Sequence, residues 1–254
     1  FNAFQPGSMM DVRSRSIVDP DERVGDRISK LTPDEIGYIM VKSLMQDGKV
    51  VRSQEVVATV LEVTLDKAIL PGQSTVLTME WDAQVPLQIR RSGRDNAEGV
   101  EFSMAQWYPK MAEYDAKGWH ADPYVGREFY AVWGDFDVTI HMDKKYLIGG
   151  TGVLQNPKEI GFNYGGVEKV KTKEKKLHWH FEAKNVHDFV WAADPDYIHD
   201  VRKCASGLEL HFIYQDDDDI KENWKNFQPD VERLFDIASK NYGKYAFSQY
   251  SVIQ

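Results

Sequence analysis

Apolar residues recur along much of this chain at every second position, the period of a strand with one buried face. The alternation is cleanest over 77–85, where Leu77, Met79, Trp81, Ala83 and Val85 oppose Thr78, Glu80, Asp82 and Gln84. It returns over Phe129 to Met142, with Phe136, Val138, Ile140 and Met142 against Asp135, Asp137, Thr139 and His141. In 177–183, Leu177, Trp179 and Phe181 share one face and His178, His180 and Glu182 the other. A short turn near Lys184-Asn185 leads to a second apolar cluster at Phe189, Val190 and Trp191, and Leu208, Leu210, Phe212 and Tyr214 form the last expected strand. Strand character also covers 36–45, followed by the hairpin dipeptide Asp47-Gly48. Positions 55–65 alternate through Val57, Thr59, Leu61, Val63 and Leu65, and the opposite face is partly apolar, as for one strand covered on both sides. Leu70-Pro71-Gly72-Gln73 is a turn, and Gly149, Gly150 and Gly152 thin the run 146–154, implying a bulge or a close backbone approach. The first residues begin as a strand that breaks at Pro6-Gly7, and 8–34 is a polar excursion with one helical turn expected near 22–28.

The period changes near the C-terminal end. Asp216-Asp217-Asp218-Asp219 lacks the alternating ligands, central glycine and terminal glutamate of a calcium loop, and four hydrated, mutually repelling aspartates read as a linker. Pro229 is then expected to open a helix whose stripe is Val231, Leu234, Phe235, Ala238 and Tyr242. Asp230 and Glu232 in the first turn, Lys240 in the last and Gly243 as stop suit the helix dipole. With no second strong helix to pack on, that stripe points to a further domain. The pattern as a whole predicts a mainly β fold, an antiparallel, curved, saddle-like β-sandwich. It is expected to lack initial strands and to end in a linker and one amphipathic helix.

A chain of 254 residues can bury a sizeable core. The net charge of -9 argues against nucleic-acid binding, which depends on clustered Lys and Arg. The one basic run, 169–176, is interrupted by Glu174 and reads as a solvated hairpin edge. The single cysteine, Cys204, allows neither an internal disulfide nor a Cys-based zinc centre, and it reads as an unreactive thiol near the Gly207 turn. No run approaches the ~18 apolar residues of a membrane-spanning helix. A soluble protein is expected, with the bacterial periplasm as one candidate compartment. The chain starts at Phe1, so either end is open to being cut from something longer.

Candidate chemistry is sparse. His178 and His180 place two imidazoles on one strand face, and a metal site there would need further ligands from His141, His187, His199 or His211. Surface or hydrogen-bonded histidines account for the same pattern. The sequence contains no H-E-x-x-H, no G-x-S-x-G and no phosphate-cradling glycine loop; the glycine-rich stretch 161–166 reads as a hairpin loop. No catalytic residue and no metal ligand is therefore assigned in this chain.

Several stretches together resemble a known family. Asn185-Val186-His187-Asp188-Phe189-Val190-Trp191-Ala192, after an aromatic strand, is similar to the end of the N-terminal domain of gluzincin zinc aminopeptidases, the aminopeptidase N and leukotriene hydrolase type. Gln106-Trp107-Tyr108-Pro109-Lys110 and Trp119-His120-x-Asp122-Pro123-Tyr124 resemble Q-W-Y-P-K and W-H-x-D-P-Y stretches of bacterial members. Gly134-Asp135-Phe136-Asp137-Val138-Thr139-Ile140 resembles the family's G-x-Y-x-V-x-I strand, and the glycine-containing strand at 149–154 follows it. Tyr242-Gly243-Lys244-Tyr245 and 249–254 resemble the approach to the catalytic domain. The likeness spans most of 36–254 and stops before the family's G-x-M-E-N and H-E-x-x-H motifs.

The resemblance implies an N-terminal β domain over 1–214, then an acidic linker and the first helix of an absent peptidase domain over 215–254. It implies zinc only for the full-length protein, none in this chain, and a peptide substrate met through the missing domain. It implies substrate-binding roles for Gln106, which matches a glutamine near the substrate's first residue, and for Tyr108, which stands where many members carry an amine-binding Glu or Gln. The rival expectation is a β-sandwich carbohydrate- or protein-binding module with no peptidase role, using Trp107, Trp119, Trp133 and Tyr124 as a platform.

Overall fold

The computed structural model describes residues 1–18, 20–122, 130–168 and 170–254. The fold is mainly β and sandwich-like, as the alternating pattern predicts. The chain forms two compact units, one of Phe1–Asn96 with Gln106–Val132, the other of Ala97–Ala105 with Trp133–Gln254.

In the first unit Tyr38–Gln46 turns at Asp47-Gly48, both at positive φ (48° and 80°), into Lys49–Val50. A two-residue turn of this type needs left-handed backbone at both central positions, which Asp and Gly tolerate. Leu77–Gln84 pairs antiparallel along the other edge, with Val41 opposite Trp81. The expected turn at Leu70 is present, with the Gln73 N–H donating to the Leu70 carbonyl at 3.0 Å.

The stretch expected as one strand over 55–65 is instead a hairpin, Ser53–Val57 with Val60–Thr64, and its first strand is exposed throughout. The chain reverses at Ala58, whose φ is 53°, without the Gly or Asn that marks such turns. A two-residue reversal also preserves the alternation, so periodicity alone could not reveal it. The first residues form turns, not a strand, and Phe4 joins Val24, Ile28 and Ile89 in a small core. The excursion after them holds a helix, Met9–Ser14, and a 3-10 turn, Ile28–Lys30. Ser8 caps the helix, and the wholly buried Asp11 accepts from the Gly7 N–H and the Arg15 guanidinium, each at 2.8 Å.

The second unit carries the strongest alternation. Gly134–Asp143 and Lys176–Val186 pair antiparallel, with Ile140 opposite Trp179 and Val138 opposite Phe181. Val153–Leu154 pairs along the free edge of Lys176–Val186. The apolar face of that central strand is fully packed, and Trp179 is 0% exposed. Leu147–Gly150, Trp191–Asp194 and Phe102–Met104 make a second sheet. The glycines do mark close approaches. A Cβ on Gly149 would lie 2.6 Å from Ile213 Cδ1, and one on Gly152, at φ 83°, would lie 2.2 Å from the Glu182 carbonyl oxygen.

Tyr197–Lys203 and Glu209–Gln215 pair antiparallel, but the latter is not the final strand, because Gln249–Ile253 lies parallel beside it. The intervening helix also differs from expectation. It runs Asp218–Tyr242 with Pro229 inside, so the aspartates begin a helix instead of forming a linker. Asp217 is its N-cap, accepting from the Asp219 and Ile220 amides, and the acidic first turn faces the positive end of the dipole. Nor is the helix an orphan. Ile220, Trp224, Val231 and Phe235 pack on Leu210, Phe212 and Tyr214, with Trp224 stacked on Tyr214 at 4.9 Å, while Leu234 and Tyr242 stay exposed. The basic stretch is mostly exposed, with 170–175 outside any strand and Lys176 opening the strand Lys176–Val186; Lys169, like Phe129, lies outside the described residues.

Candidate functional site

The loop after Phe102–Met104 carries the two residues singled out for substrate binding. Gln106 sits at φ 53°, a left-handed conformation that costs a non-glycine residue about 1–2 kcal/mol. Its side chain and that of Tyr108 are half-buried. Between them Trp107 meets Tyr108 edge-on at 5.3 Å and Trp81 at 6.1 Å, so the aromatic pair fixes the loop on the strand Leu77–Gln84. Downstream, Glu113–Asp115 and Gly118–His120 form a small hairpin, in which Trp119 packs on Tyr114 at 4.9 Å and His120 reaches Asp115 at 2.9 Å. Pro123 and Tyr124 of the same motif lie outside the described residues. Of the tryptophans suggested as a platform, Trp119 and Trp133 are exposed, but each already holds a ring partner, Tyr114 and His187 respectively.

The histidines separate into groups that the sequence did not distinguish. His178 pairs across the strands with His141, ring to ring at 4.2 Å. His180 turns the other way along the same face and places Nε2 2.9 Å from Asp137 Oδ1. His178 and His180 share one strand face, as the alternation predicts, but each finds its partner across the strands and not in the other. Glu182 joins the His180–Asp137 pair, and among the described residues Asp137, His180 and Glu182 are the one group of three such side chains whose ligand-type atoms all lie within 4.8 Å.

His199 and His211 form a buried pair. His199 Nδ1 lies 3.1 Å from the Phe162 carbonyl, which only accepts, so Nδ1 carries the proton and Nε2 is left as an acceptor. His211 Nδ1 donates to it at 2.9 Å. This leaves His211 Nε2 as a lone pair with no hydrogen-bond partner, 3.9 Å from the Glu209 carboxylate. The Tyr164 ring lies tilted against His199, with centroids 4.1 Å apart. Desolvation pushes His199 down to about 4 and lowers His211 as well. Both rings are neutral in the folded protein near neutral pH, and the pair fixes structure. Cys204 is buried, hydrogen-bonded through its backbone to the Gly207 turn, with its thiol pushed up by burial.

Among the described residues no helix is long and apolar enough to cross a membrane. No protein-family model matches the chain, and no curated protein matches it in sequence. Its fold, however, is that of part of several solved metallopeptidases. An M1 zinc metallopeptidase from Deinococcus radiodurans, bound to the substrate Tyr-Ser-Ala, aligns with a TM-score of 0.52 at 14% identity, over 85% of this chain and 46% of that one. Aminopeptidase A of Legionella pneumophila, in complex with aspartic acid, gives 0.53 at 14% identity, over 85% of this chain and 23% of that one. The chain spans less than half the length of these proteins. The likeness is one of fold. The donors present do not fit a peptidase zinc of the H-E-x-x-H type: the motif is missing from the sequence, and Asp137, His180 and Glu182 lie on strands instead of one helix.

Proposed function

We propose that this chain is a non-catalytic N-terminal part of a zinc aminopeptidase-like protein. Residues 1–214 would be its β domain, and 215–254 would lead into a peptidase domain. The observation that carries this reading is the fold likeness over 85% of the chain to less than half of M1 metallopeptidases. The order of the motifs from Gln106 to Gln254 supports it independently. In such a protein the zinc of the other domain supplies Lewis-acid activation of water and of the scissile carbonyl. This chain's part is to bind and exclude. The loop bearing Gln106 and Tyr108 would wall the cleft beside the peptide's first residue. The left-handed backbone at Gln106 supports that role, since strain retained in a loop often serves a site.

The test uses leucine p-nitroanilide. The purified chain, with or without added zinc, is expected to give no turnover. In the longer protein, Gln106→Ala and Tyr108→Ala are expected to raise KM severalfold while leaving kcat less affected. Turnover by this chain alone would overturn the non-catalytic reading, and an unchanged KM in both variants would remove the loop from the cleft.

A further inference from the structure

We propose that Asp137, His180 and Glu182 form a binding site for one zinc-like divalent cation on the outer face of the Gly134–Asp143/Lys176–Val186 strand pair. The site belongs to this chain alone and does not depend on the peptidase reading.

Register creates it. Asp137 and Glu182 are direct cross-strand partners. Two carboxylates in that position repel one another, and like charges directly opposite destabilise a sheet. Among the described residues neither is paired with Lys or Arg; the neighbouring Lys184 goes to Asp135 at 3.7 Å. His180, two residues before Glu182 on the same strand, sends Nε2 to Asp137 at 2.9 Å, so one nitrogen and two carboxylate oxygens converge from both strands. A tetrahedral shell with bonds of about 2.0–2.1 Å separates its ligand atoms by roughly 3.3 Å. The spread here, up to 4.8 Å, closes by small side-chain rotations. A cation at the centre would offset the repulsion between the carboxylates. The face is open to solvent, which leaves a fourth position for water. An imidazole beside two carboxylates suits zinc and its neighbours better than calcium or magnesium, which take oxygen ligands.

The backbone under the site is held in place. The His180 N–H donates to Asn156 Oδ1 at 3.2 Å, and its carbonyl accepts from the Gln155 N–H at 2.7 Å. Trp179 and Phe181, on either side of His180 in sequence, are buried on the reverse face. Ligands on such a strand lose little freedom on binding, which favours affinity. The adjacent His141–His178 pair has no carboxylate of this kind converging on it among the described residues, and it serves as the internal control.

Calorimetric titration of the metal-free chain with zinc chloride near pH 7.5 tests the proposal. One zinc per chain is expected to bind saturably and to raise the thermal midpoint. His180→Ala, and the pair Asp137→Asn with Glu182→Gln, should each weaken binding by at least about tenfold, since even outer partners of a metal ligand cost 10–100-fold. The combined His141→Ala and His178→Ala variant should bind as the parent does. The Asp137→Asn and Glu182→Gln chain removes a repulsion, so its metal-free midpoint should not fall, which separates lost ligands from lost folding. Absent saturable binding, binding that survives in the two site variants, or binding lost with His141 and His178 would each overturn the assignment.

Discussion

At the scale of the residue, the buried His199–His211 pair has a consequence for stability. An unfolded histidine titrates near 6.5, whereas His199 is pushed down to about 4 in the fold. The unfolded chain therefore binds more protons between these values, and stability falls as pH drops through that window. Above about 6.5 the contribution is complete, and the linkage gives a loss of roughly 2 kcal/mol by pH 5 for His199 alone. Denaturant unfolding at pH 7.5, 6 and 5 should show this slope, and His199→Gln should flatten it whatever that substitution does to stability at pH 7.5. The pairing itself was not legible in the sequence. His199 faces Ile213 and His211 faces Val201 in the register, so the rings meet on a diagonal that only strand pairing defines. The inward Trp179 and Phe181 and the outward His178, His180 and Glu182 were legible, because alternation along one strand is local.

At the scale of the element, the long helix shows a local rule overridden by packing. Proline is favoured in a first turn, and the sequence around Pro229 offers an acidic first turn after it, which made the wrong start look well formed. The actual start has its own cap at Asp217 and two acids behind it, and Trp224 and Ile220 add apolar contacts ahead of the proline. Pro229 cannot donate to the carbonyl of Lys225, so the helix carries one open backbone acceptor at its middle. Pro229→Ala should raise the stability of the chain by about 1 kcal/mol or more, read as a higher thermal midpoint. If the helix began at Pro229, the same change would be neutral or harmful. The hairpin from Ser53 to Thr64 failed to show itself for a different reason, the absence of any turn residue at Ala58-Thr59.

At the scale of the whole molecule, the mainly β composition and most strand positions follow from period two, but the sheets they enter do not. Phe102–Met104 joins Trp191–Asp194 across a long stretch of sequence, and Gln249–Ile253 returns to Glu209–Gln215 in parallel. The last strand closes several contacts at once. Ile253 fills the space that Gly149 leaves open, and the Tyr197 hydroxyl donates to the Gln254 carbonyl at 2.8 Å. The Gln254 side chain also accepts from the Gln215 backbone N–H at 2.9 Å and donates to Gln215 Oε1 at 3.0 Å. Deleting 249–254 should lower the thermal midpoint by several degrees and promote association, because it bares the edge of Glu209–Gln215. A midpoint equal to the parent's would show that this strand contributes nothing to the second unit. Candidate site residues were the least legible feature. Sequence could point to His180, but not to Asp137, which approaches it only through the register of two strands.

The parallel return of Gln249–Ile253 also bears on how the protein is made. During synthesis, the stretch Ala97–Ala105 leaves the ribosome long before the strands it joins, and the edge of Glu209–Gln215 waits unpaired while the helix after it is translated. The second unit thus cannot complete itself progressively from its first residue. Its nascent form holds an open strand edge until translation has passed Ile253, the interval in which a holding chaperone has something to bind.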